Sequence, residues 1–368
     1  MTLYPNLILD ALRNVRYPAS GKDIVSAGMV EDDIRIDGNK VSFSLIFDKP
    51  TDPFIKSLVR AAEAAILTYV SPDVDIKGNI NVKTRTVAPQ PAVKPLAQVK
   101  NIIGVSSGKG GVGKSTVAAN LAVALAREGY KVGLLDADIF GPSMPKMFGV
   151  EDAELYIHKV DNRELIIPLE KYGVKILSIG FLVDKDAPVL WRGSMASNAL
   201  KQLISDADWG ELDYFVIDMP PGTSDIHLTL VQTLAITGVI IVTTPQEVAL
   251  ADARKGINMF LGDKVNVPIL GLVENMAWFT PEPHPEERYY LFGKEGGVRL
   301  AEELHVKLLA QIPLVASVCE GGDNGNPIAL KDSMMGHEFI HLAHEVVDAV
   351  DERNRQLPPT EKVNVTRK

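Results

Sequence analysis

The sequence has almost no cysteine and no long apolar run. Its single cysteine, Cys319, excludes an internal disulfide and fits a reducing compartment. No apolar run approaches the roughly 18 to 20 residues of a membrane span. The first residues, MTLYPNLILDALRNV, lack a basic region followed by an apolar signal core. These absences predict a cytoplasmic protein with no membrane partner.

Runs of basic residues are also missing. Asp and Glu number 47 against 38 Lys and Arg, which gives a formal net charge of −9. Neutralising nucleic-acid phosphates requires clustered Lys and Arg, so we expect no nucleic-acid partner. Hydrophobic residues, in contrast, make up 46% of the 368 positions, which is enough for two domains and a large core.

Proline marks the boundary between the two predicted domains. The stretch TRTVAPQPAVKPLAQVK carries three prolines among small residues, which is typical of a semi-extended linker. We place this linker at 85–100. A larger domain is predicted at 101–352, followed by a loose tail at 353–368.

Residues 1–84 predict a small α+β domain. Two segments have helical periodicity, and two others have the alternation or composition of strands. The predicted helices are 3–16 and 53–70, and the predicted strands are 40–47 and 73–82.

From residue 101 onward the pattern of strand, loop and helix repeats. Apolar strand-like runs of this kind suit a mostly parallel sheet with helices on both faces, the α/β architecture of P-loop NTPases. The helix Ser115 to Glu128 is expected to end at Gly129. The predicted strands are 102–106, 131–135, 174–178, 214–217, 239–243 and 269–273.

The strongest chemical signal follows the first of these strands. Gly108 to Ser115, GKGGVGKS, matches G-x-x-x-x-G-K-[ST] between a strand and a helix, which is the context that the motif requires. Its backbone N–H groups would hold phosphate oxygens, Lys114 would reach the β and γ phosphates, and the Ser115 hydroxyl would bind Mg²⁺. The predicted ATP-binding residues are Gly108, Lys109, Gly110, Gly111, Val112, Gly113, Lys114, Ser115 and Thr116.

Three aspartates stand at the ends of predicted strands. Asp136 and Asp138 end the run VGLLDAD, and Asp218 ends YFVID. Ligands of open parallel sheets collect at the carboxyl ends of strands. Asp218 is therefore predicted in the Mg²⁺ shell and Asp136 and Asp138 in the catalytic site of a Mg²⁺-dependent ATPase.

The second lysine of the loop, Lys109, extends this prediction. KGGVGKST, followed by DAD and DMPPG, resembles the deviant P-loop ATPases, the group of MinD, ParA and the nitrogenase iron protein. The resemblance implies an ATP-dependent homodimer in which Lys109 reaches the partner's phosphates. It also implies that Asp138 positions the attacking water.

Further motifs resemble the Mrp/ApbC branch of that group over about residues 100 to 350. They include LLDADIFGPSMPKMFG, LWRGSMASNALKQL and GLVENMAWF, and the N-terminal part is similar to PaaD/SufT-like domains. The resemblance implies ATP hydrolysis and carriage of a 4Fe–4S cluster to apoprotein clients or assembly proteins. It further implies that Asn275 contacts adenine, with Pro313 on the other side of the base.

The chain departs from this branch in one segment. The branch carries C-x-x-C shortly after ENM, whereas WFTPEPHPEERYY at 278–290 contains no cysteine. Iron–sulfur clusters need thiolate ligands, so no cluster ligand can be identified. Two classes of function stay open: a cluster carrier or assembly factor, and a regulatory or positioning switch that acts on partners without a cluster, as MinD and ParA do.

One competing motif is HEFIH at 337–341, which matches the H-E-x-x-H pattern of zinc proteases. The surrounding apolar residues instead predict an amphipathic helix that packs on the sheet with its histidines near the other face. We therefore do not predict a zinc site.

Overall fold

The computed structural model describes residues 3–18, 21–47, 52, 54–84, 96–160, 163–182, 193–262, 265–281, 283–284 and 286–363. The chain divides into two compact units, Met1–Val93 and Lys94–Lys368. Most of the predicted proline-rich linker, residues 85–95, lies outside the described residues. The remainder, from Leu96, leads into the first strand of the second unit.

The first unit packs two helices on a three-stranded sheet. β2 pairs antiparallel with β1 and parallel with β3. The alternating side chains Val41, Phe43, Leu45 and Phe47 of β2 are buried with residues of both helices, as the pleat of a half-buried strand requires. The elements are α1 (Pro5–Leu12), β1 (Arg35–Asp37), β2 (Lys40–Phe47), α2 (Ile55–Tyr69) and β3 (Ile80–Thr84).

The predicted strand 73–82 is wrong over most of its length. Residues 73–79 form turns, with one isolated bridge between Lys40 and Asp75, and only Ile80 onward pairs with β2. Gly78 has a φ of 77°, a turn conformation that glycine adopts without steric cost. The α+β class predicted for this unit is confirmed.

The second unit is built on an eight-stranded sheet with the order β13-β12-β11-β4-β10-β5-β9-β8. Neighbouring strands are parallel from β13 to β9, and β8 is antiparallel to β9. Its strands are β4 (Val99–Ser107), β5 (Val132–Asp136), β8 (Leu169–Lys171), β9 (Val174–Ser178), β10 (Leu212–Asp218), β11 (Gly238–Thr243), β12 (Ile269–Phe279) and β13 (Leu308–Leu314). A separate antiparallel pair is formed by β6 (Tyr156–Val160) and β7 (Arg163–Ile167).

Helices cover both faces of this sheet, as predicted. Successive side chains of β4 and β10 point to opposite faces, so Ile103 and Val216 join one apolar cluster while Ile102 and Phe215 join the other. The first cluster includes α3 and α10, and the second includes α5, α6 and α7. The helices are α3 (Lys114–Arg127), α4 (Met144–Met147), α5 (Gly193–Ser205), α6 (Asp225–Thr233), α7 (Glu247–Leu261), α8 (Gly296–Leu304), α9 (Ala316–Asp323) and α10 (Met334–Gln356).

The tail predicted to be loose from residue 353 is packed through Val363. α10 continues to Gln356, and the Arg353 guanidinium donates to the Pro358 carbonyl at 2.8 Å and the Thr360 hydroxyl at 2.7 Å. The Val363 N–H then donates to the carbonyl of Val231 at 3.1 Å. A basic side chain in the last helical turn thus also fixes the chain that follows the helix.

The HEFIH motif lies on α10, and the prediction of an amphipathic helix is confirmed. Phe339 and Leu342 are fully buried, whereas His337 and His341 are mostly exposed. His344 is half-exposed and bonds Glu128 at 2.7 Å. None of the helices in the described part of the chain combines the length and apolar content that crossing a membrane requires.

Candidate functional site

The sheet register brings the predicted site residues to one edge. Asp218, the last residue of β10, pairs with Asp136 of β5 on one side and with Val105 of β4 on the other. β4 ends at Ser107, and the glycine-rich loop follows it directly. The loop and the acidic strand ends therefore meet at the carboxyl edge, where parallel sheets bind ligands.

The glycine-rich loop has the backbone of a phosphate cradle. Gly111 and Gly113 adopt φ of 80° and 83°, in the left-handed region that favours glycine. The Ser107 hydroxyl donates to the Lys109 carbonyl at 2.9 Å and fixes the entry to the loop. α3 begins at Lys114, one residue earlier than predicted, so its positive end faces the loop. Ser115 and Thr116 lie in its first turn.

The first glycine of the loop is required by close packing on α7. A Cβ at Gly108 would overlap the backbone of Asp252 and Ala253, whereas a Cβ at Gly110 would meet open space. We expect Gly108→Ala to lower the free energy of unfolding by about 1–3 kcal/mol, because two backbone segments must separate. Gly110→Ala is the matched control, with an expected change of under about 0.5 kcal/mol. Denaturant titration of both variants would check this, and equal stabilities would contradict the packing argument.

Lys114 is held by two of the three aspartates. Its side chain is only 6% exposed, and its Nζ lies 2.5 Å from Asp218 Oδ1 and 3.7 Å from Asp138 Oδ2. Burial raises the pKa of Asp138 and of Asp218, and the Lys114 charge opposes that rise. These carboxylates thus balance the charge of the lysine predicted to bind the phosphates.

The surroundings of Asp218 fit a bound Mg²⁺. Asp218 is fully buried, and its Oδ2 has no hydrogen-bond partner among the described residues. The Ser115 side chain bonds the same carboxylate, so both predicted metal ligands are adjacent. A buried carboxylate oxygen without a partner is costly, and Mg²⁺ binds one or two such oxygens together with phosphates and water.

The Asp136 carboxylate accepts four hydrogen bonds, three of them from the loop that follows it. Its Oδ1 accepts the N–H of Asp138 at 3.2 Å, and its Oδ2 accepts the N–H of Ser143 and of Met144, each at 3.1 Å. The Ser178 hydroxyl donates to Oδ2 as well, at 2.9 Å. This arrangement favours a role for Asp136 in positioning the loop that carries Asp138 over direct contact with reacting atoms.

Lys109 differs from Lys114 in the environment of its ammonium group. Its side chain is partly exposed and makes no ion pair within the part of the chain that the structure describes. Three large apolar side chains are exposed at the carboxyl edge of the sheet, each in a segment that follows a strand. They are Phe140 after β5, Val248 after β11 and Leu291 after β12, with 73%, 68% and 61% exposure. Among the described residues, this edge of the sheet therefore presents a cation without an ion-pair partner and apolar groups to solvent.

Asn275 braces the phosphate loop. Its Nδ2 donates to the Val112 carbonyl at 2.8 Å, and a Cβ at Gly113 would overlap this amide. Pro313 is buried in the edge strand β13, where a missing N–H is tolerated. The roles of Asn275 and Pro313 around adenine stay predictions.

The described residues of segment 278–290 include an antiparallel contact with the end of β12. The backbones of Phe279 and Tyr289 exchange two hydrogen bonds, at 2.8 and 2.9 Å, and the Arg288 guanidinium lies 4.1 Å from the centre of the Trp278 ring. Three side chains bring possible ligand atoms within 4.8 Å of one another, all exposed: His284, Glu286 and Glu287. Imidazole and carboxylates do not replace the thiolates of an iron–sulfur site.

The surroundings of Cys319 do not favour a thiolate either. It is exposed on α9, and its Sγ lies 3.7 Å from Asp323 Oδ2. The negative charge of Asp323 raises the pKa of the thiol, so Cys319 stays protonated at neutral pH.

One buried polar residue at this edge was missed by the sequence analysis. His227 is 1% exposed and closes a capping box with Ser224 at the start of α6. In the sequence, a capping box is indicated by a serine followed three residues later by a polar side chain. This position usually holds Glu or Gln, so a histidine there was not recognised as a capping residue.

Comparison with known proteins agrees with this geometry. A family model described as NUBPL iron-transfer P-loop NTPase matches residues 98–350. A second model, described as iron-sulfur cluster assembly protein, matches residues 6–77.

Several relatives match most of the chain. A protein from Synechocystis named iron-sulfur cluster carrier protein is 44% identical over 354 residues, covering 95% of this chain and 98% of the relative. A protein of the same name from Pseudomonas fragi is 53% identical and covers 66% and 83% of the two chains. A solved nucleotide-binding protein from Archaeoglobus fulgidus in complex with ADP is 37% identical, with a TM-score of 0.56 over 64% of this chain and 91% of that one. With the phosphate loop, the acidic strand ends and these matches together, the chain belongs to the NUBPL iron-transfer family of P-loop NTPases.

Proposed function

We propose that the protein is a cytoplasmic, Mg²⁺-dependent ATPase that acts as a homodimer in carrying or assembling iron–sulfur clusters for apoprotein clients. The observation that carries the ATPase part is the group of Lys114, Asp138 and Asp218 at the mouth of the phosphate loop. The names of the relatives support the cluster part.

In the proposed reaction the residues of this group change partners. Lys114 leaves Asp218 for the β and γ phosphates of ATP, since a phosphate oxygen can replace the carboxylate as its acceptor. Ser115 and Asp218 are then free to hold Mg²⁺, which neutralises charge on the phosphates. Asp138 orients the attacking water, and Lys109 of each protomer stabilises the charge that develops on the partner's phosphates.

Asp138 is expected to affect turnover and not binding. Its Oδ2 stands 3.7 Å from Lys114 Nζ, close enough to face the γ phosphate once the lysine has moved. We expect Asp138→Asn to lower kcat by about 10²–10⁴-fold and to leave the Kd for ATP within about threefold, as for a group that acts only on the water. Phosphate release and equilibrium titration would measure the two quantities.

Asp332→Asn is the matched control for that variant. The Asp332 side chain is 90% exposed and bonds only the exposed His337 in the described structure. It should leave both quantities unchanged. An Asp138→Asn protein with the parent kcat would remove Asp138 from the mechanism.

The cluster requires ligands beyond this chain. Two protomers bring two thiols at most, because each has only Cys319, and a [4Fe–4S] cluster takes four thiolates. We propose that a client or assembly protein supplies the missing thiolates, and that this protein acts on the cluster while it is bound to that partner.

Anaerobic reconstitution followed by iron and sulfide analysis tests this proposal. The isolated protein should retain far less than the about two irons per protomer of a cluster shared in a dimer. In contrast, ATP and the parent protein together should speed transfer from a preloaded scaffold to an apo client. Cys319→Ser should behave as the parent does. No acceleration of transfer by ATP would reject the carrier function and favour the switch that acts on partners without a cluster.

A further inference from the structure

His227 connects the phosphate-loop strand with the loop that follows Asp218. The Ser224 N–H donates to His227 Nδ1 at 3.1 Å, and His227 Nε2 lies 3.4 Å from the Ser106 hydroxyl of β4. The Pro220 carbonyl also contacts the ring. The imidazole thus lies beneath the loop Met219–Ser224 and touches it near both ends.

The hydrogen bonds define the state of the ring. Because Nδ1 accepts from a backbone N–H, the proton of the neutral imidazole must lie on Nε2, which faces the Ser106 hydroxyl. Burial, with a smaller contribution from the nearby Lys114 charge, lowers the pKa of His227 to about 4. The ring is therefore neutral at physiological pH and uses one acceptor and one donor at the same time.

The loop above the ring is placed for nucleotide contact. Its first residue follows Asp218, and its backbone is tied to β4 by Met219 N–H to the Val105 carbonyl at 3.0 Å and Gly222 N–H to the Ser107 carbonyl at 2.8 Å. Gly222 and Thr223 face outward, half-buried and exposed, beside the glycine-rich loop. We propose that His227 is a positioning residue, which holds the loop Met219–Ser224 against β4 so that this loop can distinguish ATP from ADP.

This inference rests on the proposed ATPase function, but its first test does not use nucleotide. Hydrogen–deuterium exchange of the nucleotide-free protein reports on the loop amides of Met219, Gly222, Thr223 and Ser224. His227→Leu keeps the apolar volume and removes both hydrogen bonds, so these amides should exchange about tenfold faster. His227→Gln offers an amide oxygen to Ser224 and an NH₂ to Ser106, and should restore most of the protection.

The second test uses the same variants with nucleotide. His227→Leu should lower kcat at least about tenfold and reduce the ratio of ATP to ADP affinity, with ADP affinity within about threefold of the parent. His227→Gln should recover both. His344→Leu is the control, since His344 bonds Glu128 at the end of α3 that is remote from the phosphate loop.

The outcomes separate the two proposals. Unchanged loop exchange in a folded His227→Leu protein would overturn the positioning role. A loss of ADP affinity equal to that of ATP would also overturn it, because the defect would then be general. If the loop amides exchange faster in His227→Leu but the parent protein does not hydrolyse ATP, the positioning role is kept and the ATPase function is rejected.

Discussion

Replacing Lys114 by alanine is expected to lower the affinity for ATP by about a hundredfold or more. The lysine lies at the start of α3 and is 6% exposed, so its contact with phosphate forms in a site largely closed to water. A hydrogen bond between charged groups in such a site contributes about 3 kcal/mol, and each 1.4 kcal/mol is a factor of about ten. Isothermal titration with ATP and Mg²⁺ would measure the change.

The control for Lys114→Ala is Lys100→Ala. Lys100 stands at the opposite end of β4, is 74% exposed and bonds Asp213 at 2.8 Å. It removes the same charge far from the loop, so ATP affinity should not change. Because Lys114 also balances buried carboxylates, thermal unfolding must first show that the variant is folded. Parent-like ATP affinity in a folded Lys114→Ala protein would reject the nucleotide site.

Lys109→Ala is expected to abolish ATP-dependent dimerisation and to lower kcat by about a thousandfold. A cation placed on the transferred phosphate of a P-loop enzyme contributes about 10³–10⁵ in rate. The fold should be intact, since a loop lysine without a partner in the described structure adds little stability. Light scattering with a slowly hydrolysed ATP analogue should show a doubled mass for the parent and not for the variant.

Lys131→Ala is the matched control for this variant. Lys131 directly precedes β5 at the amino edge of the sheet, is 65% exposed and pairs with Glu211. It should dimerise and hydrolyse ATP as the parent does. If Lys109→Ala also hydrolyses ATP at the parent rate, the protein works as an ordinary P-loop enzyme in which no lysine acts across a dimer.

The buried strands could be predicted because their sequences leave few alternatives. A run such as YFVID is too short and too rich in β-branched and aromatic residues for a helix, and its position between loops fits a strand covered on both faces. β1, β8, β13 and the pair β6–β7 were not predicted: β1, β6, β7 and β8 are short or exposed and of mixed polarity, and Pro313 interrupts the apolar run of β13. The contacts of Arg353 could not be predicted either. Its partners lie just after the end of α10, and sequence patterns locate helix ends poorly.

The site could be predicted where chemistry fixes the spacing. The phosphate loop needs glycines and a lysine at set intervals, so its residues could be named from the sequence. The hydrogen bonds from Asn275 to Val112 and from Ser178 to Asp136 join segments that are distant along the chain. Such contacts depend on strand order and register, which no local pattern contains.

The ion pair between Lys114 and Asp218 has a consequence for nucleotide exchange. In the proposed ATPase, the phosphates of ATP would replace the Asp218 carboxylate as the partner of Lys114, so binding would gain less than the phosphate contacts alone suggest. The same carboxylate would compete with ADP for the lysine after hydrolysis. We therefore expect Asp218 to speed the release of ADP.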